Sequence, residues 1–336
     1  MNRVAMGCLT GLLVLALLIS IGFNILQSAA IAGSGGAGEE RREPLDERLE
    51  APGASGVTDK IAQIDLEGLI TSAGGDSGLL GGALPQLDLI KQALEQAVAD
   101  EQVKAVLLRI HSPGGEVTAS DTLYAAVRRA AAQKPVVVYM DAVAASGGYY
   151  VACGASKIVA SETTLTGSIG VMMESFSYHG LFEKVGLGAR SFTSGAFKDT
   201  LSGARPMREE EEAYVQGLVN EMYERFLGIV AQARGKTADQ LRGTVADGRV
   251  FTGAQALKEG LVDQVGYLED AWELARELGK APGARVVKYR SNPGLLSLLG
   301  LATARAAGPV KLELAGGPSG AVQPGLLYYL PAWLVR

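Results

Sequence analysis

Cysteine and histidine are nearly missing from this 336-residue chain, which has two of each: Cys8 and Cys153, His111 and His179. Cys8 falls in an apolar N-terminal segment and Cys153 in a candidate core helix, so no disulfide between them is expected. Two histidines without a Cys/His cluster give no zinc-type ligand set, and no metal or other cofactor is called for. Positive charge is not in excess: 31 Lys and Arg stand against 36 Asp and Glu, a net charge of -5, which removes the electrostatic case for nucleic acid. Aromatics make up only 6% of the residues, while glycine is abundant at 44.

Charge of either sign is missing from the whole stretch between Arg3 and Glu39. Ala5 to Leu26 is apolar and long enough to cross a bilayer as a helix. Arg3 and the α-amino group precede it, which favours a cytoplasmic N-terminus with the remainder of the chain outside. The alternative is a cleaved signal peptide, since Ala30-Ile31-Ala32 is a passable small-x-small site. The apolar stretch exceeds the roughly 7–15 residues of a signal-peptide core, so the expectation is a retained anchor over residues 1–28. Residues 29–56, small and then densely charged with both signs, read as a juxtamembrane linker with at most a turn or two of helix.

From about Lys60 the texture alternates between strand and helix. Ile61 to Leu66, Ala105 to Ile110, Val136 to Met140, Lys157 to Ala160 and Ile169 to Met173 read as strands. Leu87 to Ala99, Thr118 to Ala132 and Ser146 to Cys153 read as helices. The alternation predicts an α/β domain with a largely buried sheet over residues 57–285. Gly74 to Gly82 reads as a flexible loop. Arg208 to Ala233 is a long amphipathic helix with acidic residues in its first turn and Gly235 as its stop. Thr237-Ala-Asp-Gln240 and Thr252-Gly-Ala-Gln255 look like capping boxes. Residues 286–336 form a C-terminal extension, and its apolar end, Leu326 to Leu330, has the extended, uncharged character of a segment able to dock in a groove.

Two stretches carry chemistry. In Asp141-Ala-Val-Ala-Ala-Ser146-Gly147-Gly148 a serine lies between small residues, after a β-type run and before a helical one. Small neighbours let a substrate backbone approach the hydroxyl, and the amides that follow can face developing negative charge. In Leu107-Leu-Arg-Ile-His-Ser-Pro-Gly114-Gly115 a strand runs into paired glycines that can expose consecutive backbone N–H groups, as an oxyanion hole requires. Each alone is equally consistent with a plain tight turn.

Their order decides the matter. Arg109-Ile-His-Ser-Pro-Gly-Gly115, Ala144-Ala-Ser-Gly-Gly-Tyr-Tyr150, Leu165-Thr-Gly-Ser-Ile-Gly-Val171, Ser194-Gly-Ala-Phe-Lys-Asp199 and Ala246-Asp-Gly-Arg-Val-Phe-Thr-Gly-Ala-Gln-Ala256 follow one another along the chain. From about Gly56 to Leu278 the chain resembles the short-form signal peptide peptidase A family, membrane-anchored Ser/Lys proteases of the Clp/crotonase superfold, built of repeated β-β-α units. The resemblance implies Ser146 as nucleophile, Lys198 as general base and Ser168 as the hydroxyl that orients the lysine. It also implies amides of Gly114, Gly115 and Gly147 as oxyanion donors. It further implies a homo-oligomeric, single-pass protein of the cell membrane, its catalytic domain outside the cytoplasm, cutting apolar peptides such as remnant signal peptides.

Physics adds conditions. A lysine removes a proton only if its own charge is disfavoured, and Asp199 beside it works against that, so the Asp199 side chain is expected to point away. His111, close in sequence to the glycine turn, is the competing base. Lys91, Lys134 and Lys184 are read as solvated surface charges, and Cys153 as an inert core residue. A crotonase-type acyl-CoA enzyme and an inactive peptide-binding protein are the alternative functions.

Overall fold

The structure is a computed structural model that describes residues 17–18, 20–24, 44–72, 86–290 and 328–329. The chain divides into two units, residues 1–44 and 45–336. In the first, residues 17, 18 and 20–24 are helical and exposed. Among the described residues no helix is long and apolar enough to cross a membrane; most of the expected anchor, and Cys8 with it, lies outside them. The glycine-rich stretch 74–82 also lies outside them.

The second unit is built on parallel strands. β1 (Asp46–Ala51), β2 (Lys60–Glu67), β3 (Val103–Ser112), β5 (Val136–Ala145), β6 (Lys157–Ala160), β9 (Gln264–Val265) and β10 (Arg285–Arg290) lie in the order β1-β10-β2-β3-β5-β6-β9. Every neighbouring pair is parallel except β1 with β10. The near-continuous apolar runs of β2, β3 and β5 follow from burial on both faces. Ile61, Ala105, Leu107, Val137 and Tyr139 turn to one side, where Ala271 and Ala275 of α8 (Leu268–Leu278) cover them. Ala62, Ile64, Val106, Leu108, Val138 and Met140 turn to the other, into a larger core beneath α1 (Gln86–Ala99), α2 (Val117–Ala131), α3 (Gly147–Ala152) and α5 (Glu209–Arg234). The period of two along each strand thus sorts residues between two cores.

Local signals hold at the helix ends. α5 stops at Gly235, whose φ of 61° lies in the left-handed region. Thr237 opens α6 (Ala238–Arg242) and Thr252 opens α7 (Gly253–Lys258), each through a reciprocal box with the glutamine three residues on.

Four local expectations need correction. Asp46–Ala51, expected in the linker, is edge strand β1 paired antiparallel with β10; an edge strand with an open face tolerates its charges, and Glu47 pairs with Lys60 at 2.9 Å. The sheet continues through Arg290, past the expected domain end at residue 285. The strand expected at Ile169 to Met173 falls earlier, as β7 (Leu165–Gly167), because Gly167 and Ser168 both have positive φ and turn the chain away. β7 lies parallel to the end of β5 and antiparallel to β8 (Val250–Thr252). Lys134 is not a solvated charge: its ammonium donates to the carbonyls of Ala97 and Asp100 at the end of α1, at 2.9 and 2.5 Å. Burial there lowers its pKa.

Candidate active site

β5 delivers Ser146 to the sheet's C-terminal edge, and α3 begins one residue later. The serine adopts φ 53° and ψ -112°, a conformation that costs a non-glycine residue about 1–3 kcal/mol and persists only where its surroundings hold it. They do so through two hydrogen bonds: Ser146 N donates to Gly167 O and Tyr150 N donates to Ser146 O, both at 2.8 Å. The residue is fully buried, and among the described residues its Oγ has no hydrogen-bond partner. A buried hydroxyl without a partner is costly.

The glycine turn closes on the same place. Gly114 has φ 112°, and a Cβ there would lie 2.7 Å from Gly147 N and 2.0 Å from the carbonyl oxygen of Tyr329. A Cβ on Gly147 would lie 3.1 Å from Gly115 N and 2.5 Å from Ser120 Oγ. Gly114, Gly115 and Gly147 therefore meet beside Ser146, and side chains at these positions would fill the space. β4 (Gly115–Glu116) continues the turn. One side of it meets Ile70, whose N–H donates to Gly114 O at 2.9 Å and whose carbonyl accepts from Glu116 N at 2.8 Å. Ser72 fixes that contact by donating its own N–H to the Glu116 carboxylate at 3.0 Å.

The other side of β4 pairs antiparallel with β11 (Tyr328–Tyr329), Tyr329 opposite Gly115. The Tyr329 ring is buried between Tyr150 and Phe226, with centroids 4.9 and 4.7 Å away, and its hydroxyl donates to Met222 O at 3.3 Å. Neither this aromatic pocket nor Ser120, a buried serine without a partner against Gly147, stood out in the sequence, because their members come from separate helices. Only the extended, apolar character of the tail pointed toward a groove.

Ser168 follows Gly167 directly and is buried, with φ 50° and its N–H donated to Arg249 O at 2.8 Å. It borders a cavity of about 560 Å³ walled by Val171, Met172, Tyr223 and Asp247 among others. Lys198 is exposed, in the turn over residues 195–200, and among the described residues it makes no hydrogen bond to Ser146 Oγ. Its neighbour Asp199 turns to Arg205, at 2.8 and 3.0 Å, as expected of a carboxylate that points away. His111 is half-exposed with Nδ1 3.9 Å from Asp141, and it makes no bond to Ser146 either. Cys153 is buried, and burial pushes its thiol up to about 12.

A buried serine on a strained strand-to-helix turn, beside three converging glycines at the edge of a parallel sheet, has the layout of a serine peptidase. A model described as Clp protease matches residues 87–164, and one described as Peptidase family S49 matches residues 128–281. The chain is 34% identical over 300 residues to the "Putative signal peptide peptidase SppA" of Enterococcus faecium, covering 86% of this chain and 84% of that one. It is 41% identical over 207 residues to a "Putative protease" of Methanocaldococcus jannaschii, covering 61% and 66%. To protease 4 of Salmonella typhi it is 35% identical over 255 residues, covering 76% and 40%, so it spans less than half of that relative. The chain belongs to peptidase family S49. Within it, this is a serine endopeptidase similar to SppA and protease 4, which sets the acyl-CoA alternative aside.

Proposed function

We propose that the chain is a membrane-anchored Ser/Lys endopeptidase that cuts apolar peptides, remnant signal peptides among them, in extended form. Ser146 attacks the scissile carbonyl, and the amides of Gly147 and of the Gly114-Gly115 turn stabilise the oxyanion. Lys198 takes the serine proton and Ser168 orients the lysine. The observation that carries this reading is the buried, partnerless Ser146 Oγ on a strained turn beside the convergence of Gly114, Gly115 and Gly147. The docking of Tyr329 on β4, carbonyl toward Gly114 and ring in an aromatic pocket, supports an apolar substrate strand held by its backbone.

A serine becomes a competent nucleophile only when a base removes its proton as it attacks. Lys198 reaches that position through self-association. The arm that carries it, residues 172–207 with helix α4 (His179–Lys184), exposes Phe176, Leu181, Leu187, Phe192 and Phe197, an apolar set that favours packing against a second copy. The cavity beside Ser168 is large enough to admit a lysine side chain. Anchoring rests on the uncharged stretch Ala5 to Leu26, and Arg3 with the α-amino group before it favours a catalytic unit outside the cytoplasm.

The test is hydrolysis of a fluorogenic apolar peptide by the full chain from roughly pH 6 to 10, the range for a lysine with a lowered pKa. Activity rising toward alkaline pH, and lost in both Ser146→Ala and Lys198→Met, is the expected result. An active Lys198→Met would remove Lys198 from the mechanism and turn attention to His111.

A further inference from the structure

The turn that carries Lys198 is tied down on both flanks, while the lysine is left free. Before it, Arg208 donates to Ala196 O. After it, Arg205 grips the Asp199 carboxylate with Nε at 3.0 Å and Nη2 at 2.8 Å, and also reaches Asp199 O at 3.4 Å. The same guanidinium forms a second fork on Glu211, at 2.8 and 2.6 Å. Glu211 sits fully buried in the first turn of α5, where it also accepts from Arg208 N at 2.9 Å, Arg208 Nη2 at 2.7 Å and Thr200 Oγ1 at 3.3 Å. Two carboxylates and two guanidiniums balance one another, and among the described residues no ion pair includes Lys198.

We propose that Arg205 is a positioning residue for the proteolytic reaction: anchored on buried Glu211, it fixes the Lys198 turn against α5 and takes up the Asp199 carboxylate that would otherwise hold Lys198 as an ammonium ion. This rests on the reading of Lys198 as the base. Two bidentate forks on one guanidinium make a geometry that lysine, a point charge, cannot reproduce. Arg205 holds Asp199 below the ordinary carboxylate range, so that carboxylate stays charged and stays engaged. Other titratable groups on or against this segment include His179, whose Nδ1 lies 3.2 Å from Ala204 O and whose Nε2 lies 3.4 Å from Glu183, and Tyr214 of α5, whose ring packs on Phe197 with centroids 5.3 Å apart; the first-turn glutamates Glu209, Glu210 and Glu212 are exposed. None of them is in an ion pair with Lys198.

The experiment measures pH–rate profiles for an apolar fluorogenic peptide with the full chain and four variants: Lys198→Met, Arg205→Met, Asp199→Asn and Arg205→Met/Asp199→Asn. In Arg205→Met the freed carboxylate stabilises the ammonium, so the alkaline limb should move up by about one unit, with activity on its acid side falling about tenfold. The double variant, which lacks the carboxylate, should bring the limb back to the parent position. Its return would also tie the limb to Lys198 rather than to His179, which neither substitution touches. An inactive Arg205→Met with an active double variant supports the same conclusion. A limb that stays in place in Arg205→Met overturns the proposal, as does a double variant inactive at every pH, since Arg205 would then be only a structural tie. If Lys198→Met is itself active, the dyad reading fails whatever Arg205 does.

Discussion

Tyr329 stacks on Tyr150, their ring centroids 4.9 Å apart and the planes 26° from parallel, and Tyr150 lies one helical turn beyond Ser146. Tyr329, late in the same chain, therefore fills the aromatic pocket beside Ser146. Burying a side chain of this size stabilises docking by about 2 kcal/mol. Tyr329→Ala, or truncation at Gly316, should lower the KM for a short apolar peptide by up to about thirtyfold and leave kcat nearly unchanged. A KM that does not move in either variant would show that the tail does not compete with substrate.

Gly147→Ala would place a methyl group 2.5 Å from Ser120 Oγ and 3.1 Å from Gly115 N. Losing the alignment of one oxyanion donor typically costs about 100-fold to 1,000-fold in kcat. The expected outcome is a fall of at least about 100-fold in kcat with far-ultraviolet circular dichroism preserved. Activity within a few-fold of the parent would mean that the Gly147 amide does not face the oxyanion.

Mixing inactive chains tests where the base comes from. If Lys198 serves the serine of a neighbouring copy, co-expressed Ser146→Ala and Lys198→Met chains should recover roughly a quarter of parental activity in two-member sites, since random pairing leaves intact dyads in that fraction. No recovery would mean that the arm closes over its own serine.

Much of this geometry was legible beforehand, for identifiable reasons. The apolar runs of β2, β3 and β5 announce strands buried on both faces, and the threonine-to-glutamine boxes announce α6 and α7. Ser146 between Ala145 and Gly147 was recognisable because the residue types a strained turn needs lie side by side. Less legible features arise where partners are distant. The charged run Asp46–Ala51 becomes a strand only because β10, more than 200 residues later, offers it an edge. The pocket around Tyr329 draws on α3, α5 and the far C-terminus. Asp199 could be expected to turn from Lys198, but nothing in the spacing named Arg205 and Glu211 as what holds it.

Acid should loosen the arm. The Arg205 guanidinium, with Arg208 N–H adding to it, holds Glu211 down at about 2, below its ordinary 4.5. A depressed carboxylate contributes stability that is present above the unfolded pKa and lost as pH falls through the folded one. Thermal stability should therefore drop between about pH 4.5 and 2, and Glu211→Gln should flatten that part of the profile. A parent and variant that lose stability in parallel across this window would show that Glu211 is not the group responsible.

Because β11 belongs to the same chain as the strand it pairs with, it contends for β4 as a tethered rival rather than a dilute one. A segment of the same chain competes at an effective concentration, which can reach the order of millimolar, rather than at a bulk one. A free peptide gains the groove only when it binds more tightly than Tyr328-Tyr329 or is locally abundant. Under the proposed reading, in which substrate strands use this same edge, the pairing sets an entry threshold that scarce or weakly fitting chains do not pass.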